Sequence, residues 1–209
     1  MTNTRTKAST KTSNKYHHGD LYSTLIETAT AMVNEHGIDG LSLRKLAERI
    51  GVSRTAAYHH FTDKNALLCA IATQGFNQWQ DISEAILNNA KLSNEERYRQ
   101  FIFAYLHFAT DKPALYELMF GSTIWKNHQS TEDLKNVAFA SFQYQVDMTK
   151  AWQQQKLLPE EENSLRLSQV MWATLHGMAK LLIDGIYADL SHLDEMCECM
   201  VRLYLSQRS

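Results

Sequence analysis

LSLRKLAERIGVSRTAAYHHFTDK, residues 41–64, is the stretch of this chain that decides the fold. Leucine, alanine and isoleucine recur at helical spacing over 42–50, which predicts a short helix there. Gly51 suits the end of that helix, because glycine adopts a left-handed backbone conformation without steric penalty. Ser53 can then cap a second helix over 54–60 through its hydroxyl. Two short helices around a glycine turn indicate a helix-turn-helix.

The outer face of the second helix is small, polar and aromatic. At about 100° per residue, Ala57 and Phe61 fall on the inner side, whereas Thr55, Ala56 and His59 fall on the outer side. A recognition helix presents such a face to base edges in the major groove while the preceding helix lies across the phosphates. We therefore predict DNA binding. The side chains expected to read bases are Thr55 with Arg54 or His59, and those expected to hold phosphates are Ser42, Arg44, Tyr58 and Lys64.

The stretch resembles the DNA-binding region of the TetR family of bacterial transcriptional regulators, and the resemblance covers residues 20–68. It is carried by Gly51, Val52, Ser53, Tyr58, His59, His60, Phe61, Asp63, Lys64, Leu67 and Leu68. Two residues depart from the family pattern. Ala57 stands where a larger aliphatic residue is usual, and Asn65 where an acidic residue is common. The resemblance implies a three-helix DNA-binding head followed by a helical body that binds an effector and dimerises.

Composition independently favours an all-α fold. The 209 residues are 44% hydrophobic, which suffices for one good core or two small ones. Two prolines and eight glycines, without an alternating strand pattern bounded by turns, are typical of a helical protein. No apolar run approaches the roughly 20 residues that span a bilayer, so no membrane partner is expected.

The net charge of −2 conceals a basic head and an acidic body. Residues 1–64 carry nine Lys and Arg against six Asp and Glu, whereas residues 65–209 carry twelve against seventeen. A positive patch on a small module is enough for phosphate binding, and the acidic remainder limits nonspecific association with polyanions. Residues 1–18 are predicted to form a disordered basic arm. The arm either adds phosphate or minor-groove contacts or is a solvated tail.

Helix signals divide the rest of the chain. The head is predicted over 19–66, with a first helix over 21–36 that Gly37 ends, and the body over 67–209. A long helix capped by Thr62 or Asp63 reaches about Asn89 and joins the two. Further helices are predicted over 93–110, which opens with a capping box, and over 114–120, 131–156, 159–182 and 190–206.

Aromatic residues and methionines are concentrated in the body, where they either line an adaptable apolar cavity or fill an ordinary core. The candidate ligand-binding side chains are Tyr105, Phe108, Met119, Trp125, Phe142, Trp172 and His176. Their character predicts a largely apolar or aromatic small-molecule effector.

WATLHG at 172–177, together with YHHGDL at 16–21, resembles the Trp-x-x-x-His-Gly signature of one type of TetR C-terminal domain. Trp172 and His176 lie one turn apart, and Gly177 lets another helix approach closely. These residues either pack in the core, line the ligand pocket or contact another subunit. The resemblance also implies a four-helix dimer interface from the last two helices, with Leu175, Met178, Leu182, Met196, Met200 and Leu203.

Enzyme, metal and cofactor functions find no support in the sequence. The chain has no Gly-x-Ser-x-Gly elbow, P-loop or dinucleotide fingerprint. The pair Cys197-x-Cys199 beside His192 does not have a usual zinc spacing. Three cysteines do not suit a disulfide framework, and without a signal peptide they indicate a reducing cytoplasm.

Together these observations predict a dimeric cytoplasmic repressor that a small-molecule effector releases from a palindromic operator. Two alternatives stay open. The first is a DNA-binding regulator without small-molecule control, acting constitutively or through a protein partner. The second is a small-molecule-binding bundle whose head has lost DNA binding.

Overall fold

The computed structural model describes residues 18–126, 129–187 and 190–205, and within these ranges it is built from helices and turns alone. The predicted all-α fold is confirmed. The head consists of α1 (His18–Gly40), α2 (Leu43–Ile50) and α3 (Arg54–His60). The long helix α4 (Lys64–Leu87) follows, and the body continues with α5 (Asn94–Asp111), α6 (Pro113–Phe120), α7 (Ser122–Trp125), α8 (Glu132–Gln154), α9 (Ser164–Ile183) and α10 (Leu193–Leu205).

Short polar side chains start the helices of the head where the sequence predicts. Ser42, Ser53 and Asp63 each accept a hydrogen bond from the backbone N–H three residues ahead, at 3.2, 3.2 and 2.7 Å. Gly51 ends α2 in the left-handed conformation, with φ of 80°. Gly37 has φ of 69° and kinks α1 where the sequence predicts its end, although helical turns resume beyond it to Gly40.

The inner faces of the head helices form the first part of a continuous apolar core. Leu25, Leu46, Ala57 and Leu67 are each 0% exposed, so α1, α2, α3 and the start of α4 all contribute. Arg49 also ties α2 to α1 by donating two hydrogen bonds to the Glu35 carboxylate, at 2.6 and 2.7 Å. The recognition helix is therefore held in one orientation by packing rather than by its own seven residues.

The body is a helical bundle built around α4. Helices α6 and α8 pack on α4, while α5 packs on α4, α9 and α10. The capping box predicted at Ser93 is present, since Ser93 and Glu96 exchange both hydrogen bonds. Helix α6 also contacts α1, so that the body touches the head at a second place besides α4.

The start of α9 was predicted incorrectly. The helix begins at Ser164, capped by Asn163, and not at Pro159. The Gln153 side chain donates to the carbonyl oxygens of Pro159 and Glu162 at 2.6 and 2.8 Å, which holds the intervening segment in a turn. This contact with a side chain of another helix outweighs the local proline signal.

The start of α10 was also predicted too early. Residues Leu190–His192 form a 3-10 turn, and the helix proper begins at Leu193. The four-residue helix α7 was not predicted. The predicted basic arm falls almost entirely on residues 1–17, outside the described ranges, and no helix within those ranges is long and apolar enough to cross a membrane.

Candidate DNA-binding face and ligand cavity

The outer face of α3 presents polar and aromatic side chains to solvent. Thr55, His59 and Arg54 are exposed, and Tyr58 is 52% exposed. Ala56, predicted on this face, is half-buried and packs against the core. The backbone of α3 is thus accessible from one side only, as a helix that enters a groove must be.

Of the predicted phosphate-contacting residues, Tyr58 lies on α3 itself and the other three lie at the starts of α2 and α4. Ser42 caps α2 and Arg44 lies in its first turn, while Lys64 is the first residue of α4. Among the residues that the structure describes, Arg44, Arg54 and Lys64 form no ion pair, so their charges are available to an anion. Free backbone N–H groups at the start of α4 lie beside Lys64 and favour a phosphate there.

Asn65, which departs from the family pattern, connects the start of α4 to the body. Its side-chain N–H donates to the backbone carbonyl of Gln129 at 2.7 Å. An ionised carboxylate at this position could not donate that hydrogen bond. The departure is thereby explained by a contact between the loop before α8 and the residue next to Lys64.

The body contains an apolar cavity of about 280 Å³ that is partly open to solvent. All its helices except α10 contribute to the wall: Phe76 and Trp79 from α4, Tyr105 from α5, Met119 and Phe120 from α6, Trp125 from α7, Ala138, Ser141, Phe142 and Gln145 from α8, and Trp172 from α9. The four residues of α8 fall on one face because they repeat at three- and four-residue spacing.

Of the seven side chains predicted to bind a ligand, five line this cavity: Tyr105, Met119, Trp125, Phe142 and Trp172. Phe108 lies outside it, packed on Trp79 with the Lys112 ammonium 5.2 Å from its ring. His176 also lies outside and reaches the cavity wall only through other side chains. The sequence did not single out Gln145, Ser141, Phe76 or Trp79 as wall residues.

A chain of hydrogen bonds connects the cavity wall to α6 and α9. The Trp172 indole N–H donates to the Tyr105 hydroxyl at 2.9 Å, and the hydroxyls of Tyr105 and Tyr116 lie 2.8 Å apart. The Tyr116 hydroxyl in turn lies 2.8 Å from His176 Nδ1. Burial lowers the pKa of His176 and raises the pKa values of both tyrosines, so all three side chains are neutral near pH 7.

Two buried side chains among the described residues keep a polar atom without a hydrogen-bond partner: Tyr98, which does not line the cavity, and Gln145. It is only 8% exposed and lines the cavity, yet its side-chain nitrogen has no hydrogen-bond partner among the described residues. Most buried donors in folded proteins are paired, and an unpaired one needs an explanation.

Gly75 leaves room for the side chains of Met119 and Leu115 on α6 to lie directly against α4. A Cβ atom added to Gly75 would lie 2.7 Å from Met119 Sδ and 3.0 Å from Leu115 Cδ1, closer than side-chain carbons normally come. Met119 lines the cavity, as does Phe76 beside Gly75. The helix that begins at the DNA-binding face therefore forms part of the cavity wall. An isolated glycine inside a long apolar helix was the sequence signal for this contact.

Helices α9 and α10 both pack on α5 and leave an outward-facing groove of about 720 Å³ between them. Of the predicted dimer residues, Leu175 and Leu182 are buried within the chain. The others line the groove, namely Met178, Met196, Met200 and Leu203, of which Leu203 is 63% exposed. Val170, which was not predicted, is 58% exposed there.

No helix of the described part of this chain packs closely against Gly177, so the predicted close approach leaves a partner helix as the candidate. A Cβ atom at Gly177 would meet nothing within 4 Å among the described residues. It shares the outward side of α9 with Val170 and Thr174, so its space is open to solvent.

The three cysteines form no disulfide. Cys69 and Cys197 are buried, and Cys199 is exposed. Burial raises the pKa of Cys197 to about 12. No group of metal-ligating side chains occurs in the part of the chain that the structure describes.

A three-helix head with an exposed third helix, joined by one long helix to a bundle that contains a cavity, defines a two-domain helix-turn-helix protein. Residues 25–71 match the sequence profile of bacterial regulatory proteins of the tetR family. Residues 98–204, about half of the chain, match that of the tetracyclin repressor-like C-terminal domain. The chain belongs to the TetR family.

Curated relatives match over about a quarter of this chain. The chain is 54% identical over 50 residues to the class A tetracycline repressor protein of transposon 1721 from Escherichia coli. The matched segment covers 24% of this chain and 23% of that protein. It is 42% identical over 50 residues to the transcriptional repressor AcnR of Corynebacterium diphtheriae, 24% of this chain and 26% of the relative. The matched segments thus span about a quarter of these relatives.

Solved structures match over nearly the full length. A protein of unknown function from Rhodococcus sp. RHA1 superimposes with a TM-score of 0.78 and 29% identity, over 92% of this chain and all of its own. The fatty acid degradation regulator FadR of Bacillus halodurans has a TM-score of 0.68 at 16% identity, over 94% of this chain and 97% of its own. The second likeness shows the fold alone.

Proposed function

We propose that this protein is a dimeric transcriptional repressor that binds a palindromic operator through α3 and leaves it when a small molecule enters the cavity of the body. The observation that carries the proposal is the path of α4, which begins at the DNA-binding face and lines the cavity with Phe76 and Trp79. A ligand that favours another position of α4 would also reposition α3.

DNA binding is supported by the exposed face of α3 and the unpaired charges around it. Arg54 and Thr55 lie in the first turn of α3, which in a helix-turn-helix approaches base edges. Ser42, Arg44, Tyr58 and Lys64 surround that turn, where they would contact the sugar-phosphate backbone. Repression is proposed because curated relatives that match a quarter of this chain are named as repressors.

Dimerisation is supported by the apolar surface of α9 and α10. Val170 and Leu203 are exposed on either side of the groove, and the open space at Gly177 would let a partner helix come close. Two copies related by a two-fold axis would place two recognition helices for half-sites about one helical turn, or a multiple of it, apart. This spacing is the reason for proposing a palindromic operator.

Selection of bound fragments from genomic DNA, followed by sequencing, tests the DNA-binding proposal. The expected result is an inverted repeat with fixed half-site spacing. Enrichment of fragments without a shared sequence would contradict the proposal. No enrichment at all would favour a small-molecule-binding protein whose head has lost DNA binding.

Lys64→Ala and Thr55→Ala are expected to affect DNA binding in different ways. Losing the lysine should weaken binding to operator and random DNA alike. The slope of the logarithm of the binding constant against the logarithm of the salt concentration should fall in magnitude by about 0.9, the value for one phosphate contact. Losing the threonine should change the preference at one base pair by about 1–3 kcal/mol. Fluorescence anisotropy on matched and mutated operators measures both, with Lys91→Ala, just beyond the opposite end of α4, as the control. Equal losses on all sequences for both variants would refute the division of roles.

Ala138→Phe is expected to make the repressor insensitive to its effector. The new ring would occupy the cavity from α8 and leave the head unchanged. Compounds that displace wild-type protein from the recovered operator should fail to displace the variant, while operator affinity without compound stays the same. Displacement of both proteins at equal concentrations would place the effector outside the cavity, and no displacement by any apolar compound would favour a regulator without small-molecule control.

A further inference from the structure

We propose that the cavity selects an uncharged aromatic molecule of about two fused rings that carries a hydrogen-bond acceptor, and that the side-chain amide of Gln145 donates to this acceptor. The inference rests on the ligand control proposed above and names the chemical class of the ligand.

The first argument is the unpaired state of Gln145. Helix α8 buries two glutamine side chains, Gln145 at 8% exposure and Gln153 at 6%. The amide nitrogen of Gln153 donates to two backbone carbonyls, whereas that of Gln145 has no partner in the described residues. Since Gln145 lines the cavity, its missing acceptor is best supplied by what the cavity holds.

The second argument is the absence of charge from the wall. No acidic or basic side chain is among the described residues that line the cavity. A ligand ion would lose its hydration there without gaining a counter-ion, which is unfavourable. The Tyr105 hydroxyl is already bonded to Trp172 and Tyr116, whereas Gln145 and Ser141, one turn earlier on α8, offer polar groups to a ligand.

The third argument is size and shape. A cavity of roughly 150 Å³ lined by apolar side chains accommodates benzene, and this cavity is nearly twice as large at about 280 Å³. Seven aromatic residues contribute to its wall and suit stacking or edge contacts with a flat ligand. Two fused rings with one polar substituent match these dimensions.

Calorimetric titration of the purified full-length protein with four bicyclic probes tests the inference. The probes are naphthalene, 2-acetylnaphthalene, 2-naphthoate and N-methylquinolinium, which share a ring system and differ in acceptor and charge. We expect 2-acetylnaphthalene to bind about five- to tenfold more tightly than naphthalene. Both ions should bind at least tenfold more weakly than 2-acetylnaphthalene.

Gln145→Leu should abolish the difference between the two neutral probes while naphthalene still binds. Gln143→Leu, an exposed position two residues away on the same helix, should leave all affinities unchanged. Without ligand, Gln145→Leu and the unbranched Gln145→Met should both melt a few degrees above the wild type, because a buried unpaired donor has been removed.

The inference is overturned if an ion binds most tightly, if no probe binds, or if Gln145→Leu keeps the preference for the acetyl probe. Melting temperatures that fall in both Gln145 variants would likewise show that the amide has a structural partner. Operator affinity of the same preparations is measured in parallel. If no probe binds while the protein still binds the operator, only this inference is rejected. If the protein does not bind the operator, the proposed function is rejected.

Discussion

Val170→Glu combined with Leu203→Glu is expected to convert the proposed dimer into monomers and to weaken operator binding by at least about 100-fold. Both side chains are more than half exposed on the groove between α9 and α10, where a partner would cover them. Glutamates on both copies would bury like charges in an apolar contact. A monomer binds only one half-site. It therefore loses the gain in affinity of about 10²- to 10⁴-fold that results from linking two DNA-binding heads.

Analytical ultracentrifugation gives the oligomeric state, and anisotropy on the full operator and on a single half-site gives the affinities. The double variant should bind the half-site as the wild type does, since the head is untouched. Phe139→Glu is the matched control, because Phe139 is 69% exposed on α8, away from the groove. A double variant that still sediments as a dimer would move the interface to another surface.

Gly75→Val is expected to lower the free energy of unfolding by about 2–3 kcal/mol, or the melting temperature by roughly 5–10 °C. The added carbons would need the space that Met119 and Leu115 occupy, because atoms of both side chains lie within 3.0 Å of the position that a Cβ atom on Gly75 would take. Since Met119 lines the cavity, ligand affinity should fall together with stability.

Thermal unfolding and probe titration on the same samples measure both effects. Ala85→Val introduces the same side chain on the exposed side of α4 and should change stability by no more than about 0.5 kcal/mol. Gly75→Ala should fall between the wild type and Gly75→Val, because the helix favours alanine while Met119 must shift. A Gly75→Val variant as stable as the wild type would mean that α4 and α6 can separate without cost.

The head could be predicted from sequence because its signals are local. Each cap at Ser42, Ser53 and Asp63 bonds to an amide three residues ahead, and the left-handed Gly51 needs no distant partner. The inner position of Ala57 likewise follows from helical periodicity alone.

The predictions that failed depended on contacts between helices. The late start of α9 is set by the side chain of Gln153, which lies on another helix. Periodicity places Gln145 on α8 but does not reveal that its amide meets no acceptor, because that depends on the helices packed around it. Phe108 and His176 have the same composition signal as Trp172, and their positions along α5 and α9, which the sequence does not relate to the cavity, place them outside its wall.

If a ligand shifts α4 as proposed, the length of this helix would convert a small change at the cavity into a large one at the DNA. Phe76 and Lys64 are twelve residues apart, which is about 18 Å along a helix axis. A rotation of about 10° around the cavity end would move Lys64 by about 3 Å at that radius. In a two-fold dimer the opposing shifts add to about 6 Å, more than the roughly 3.4 Å rise between neighbouring base pairs. A ligand that displaces the Phe76 ring by less than an atomic diameter could thereby put the two half-sites out of register by more than one base pair.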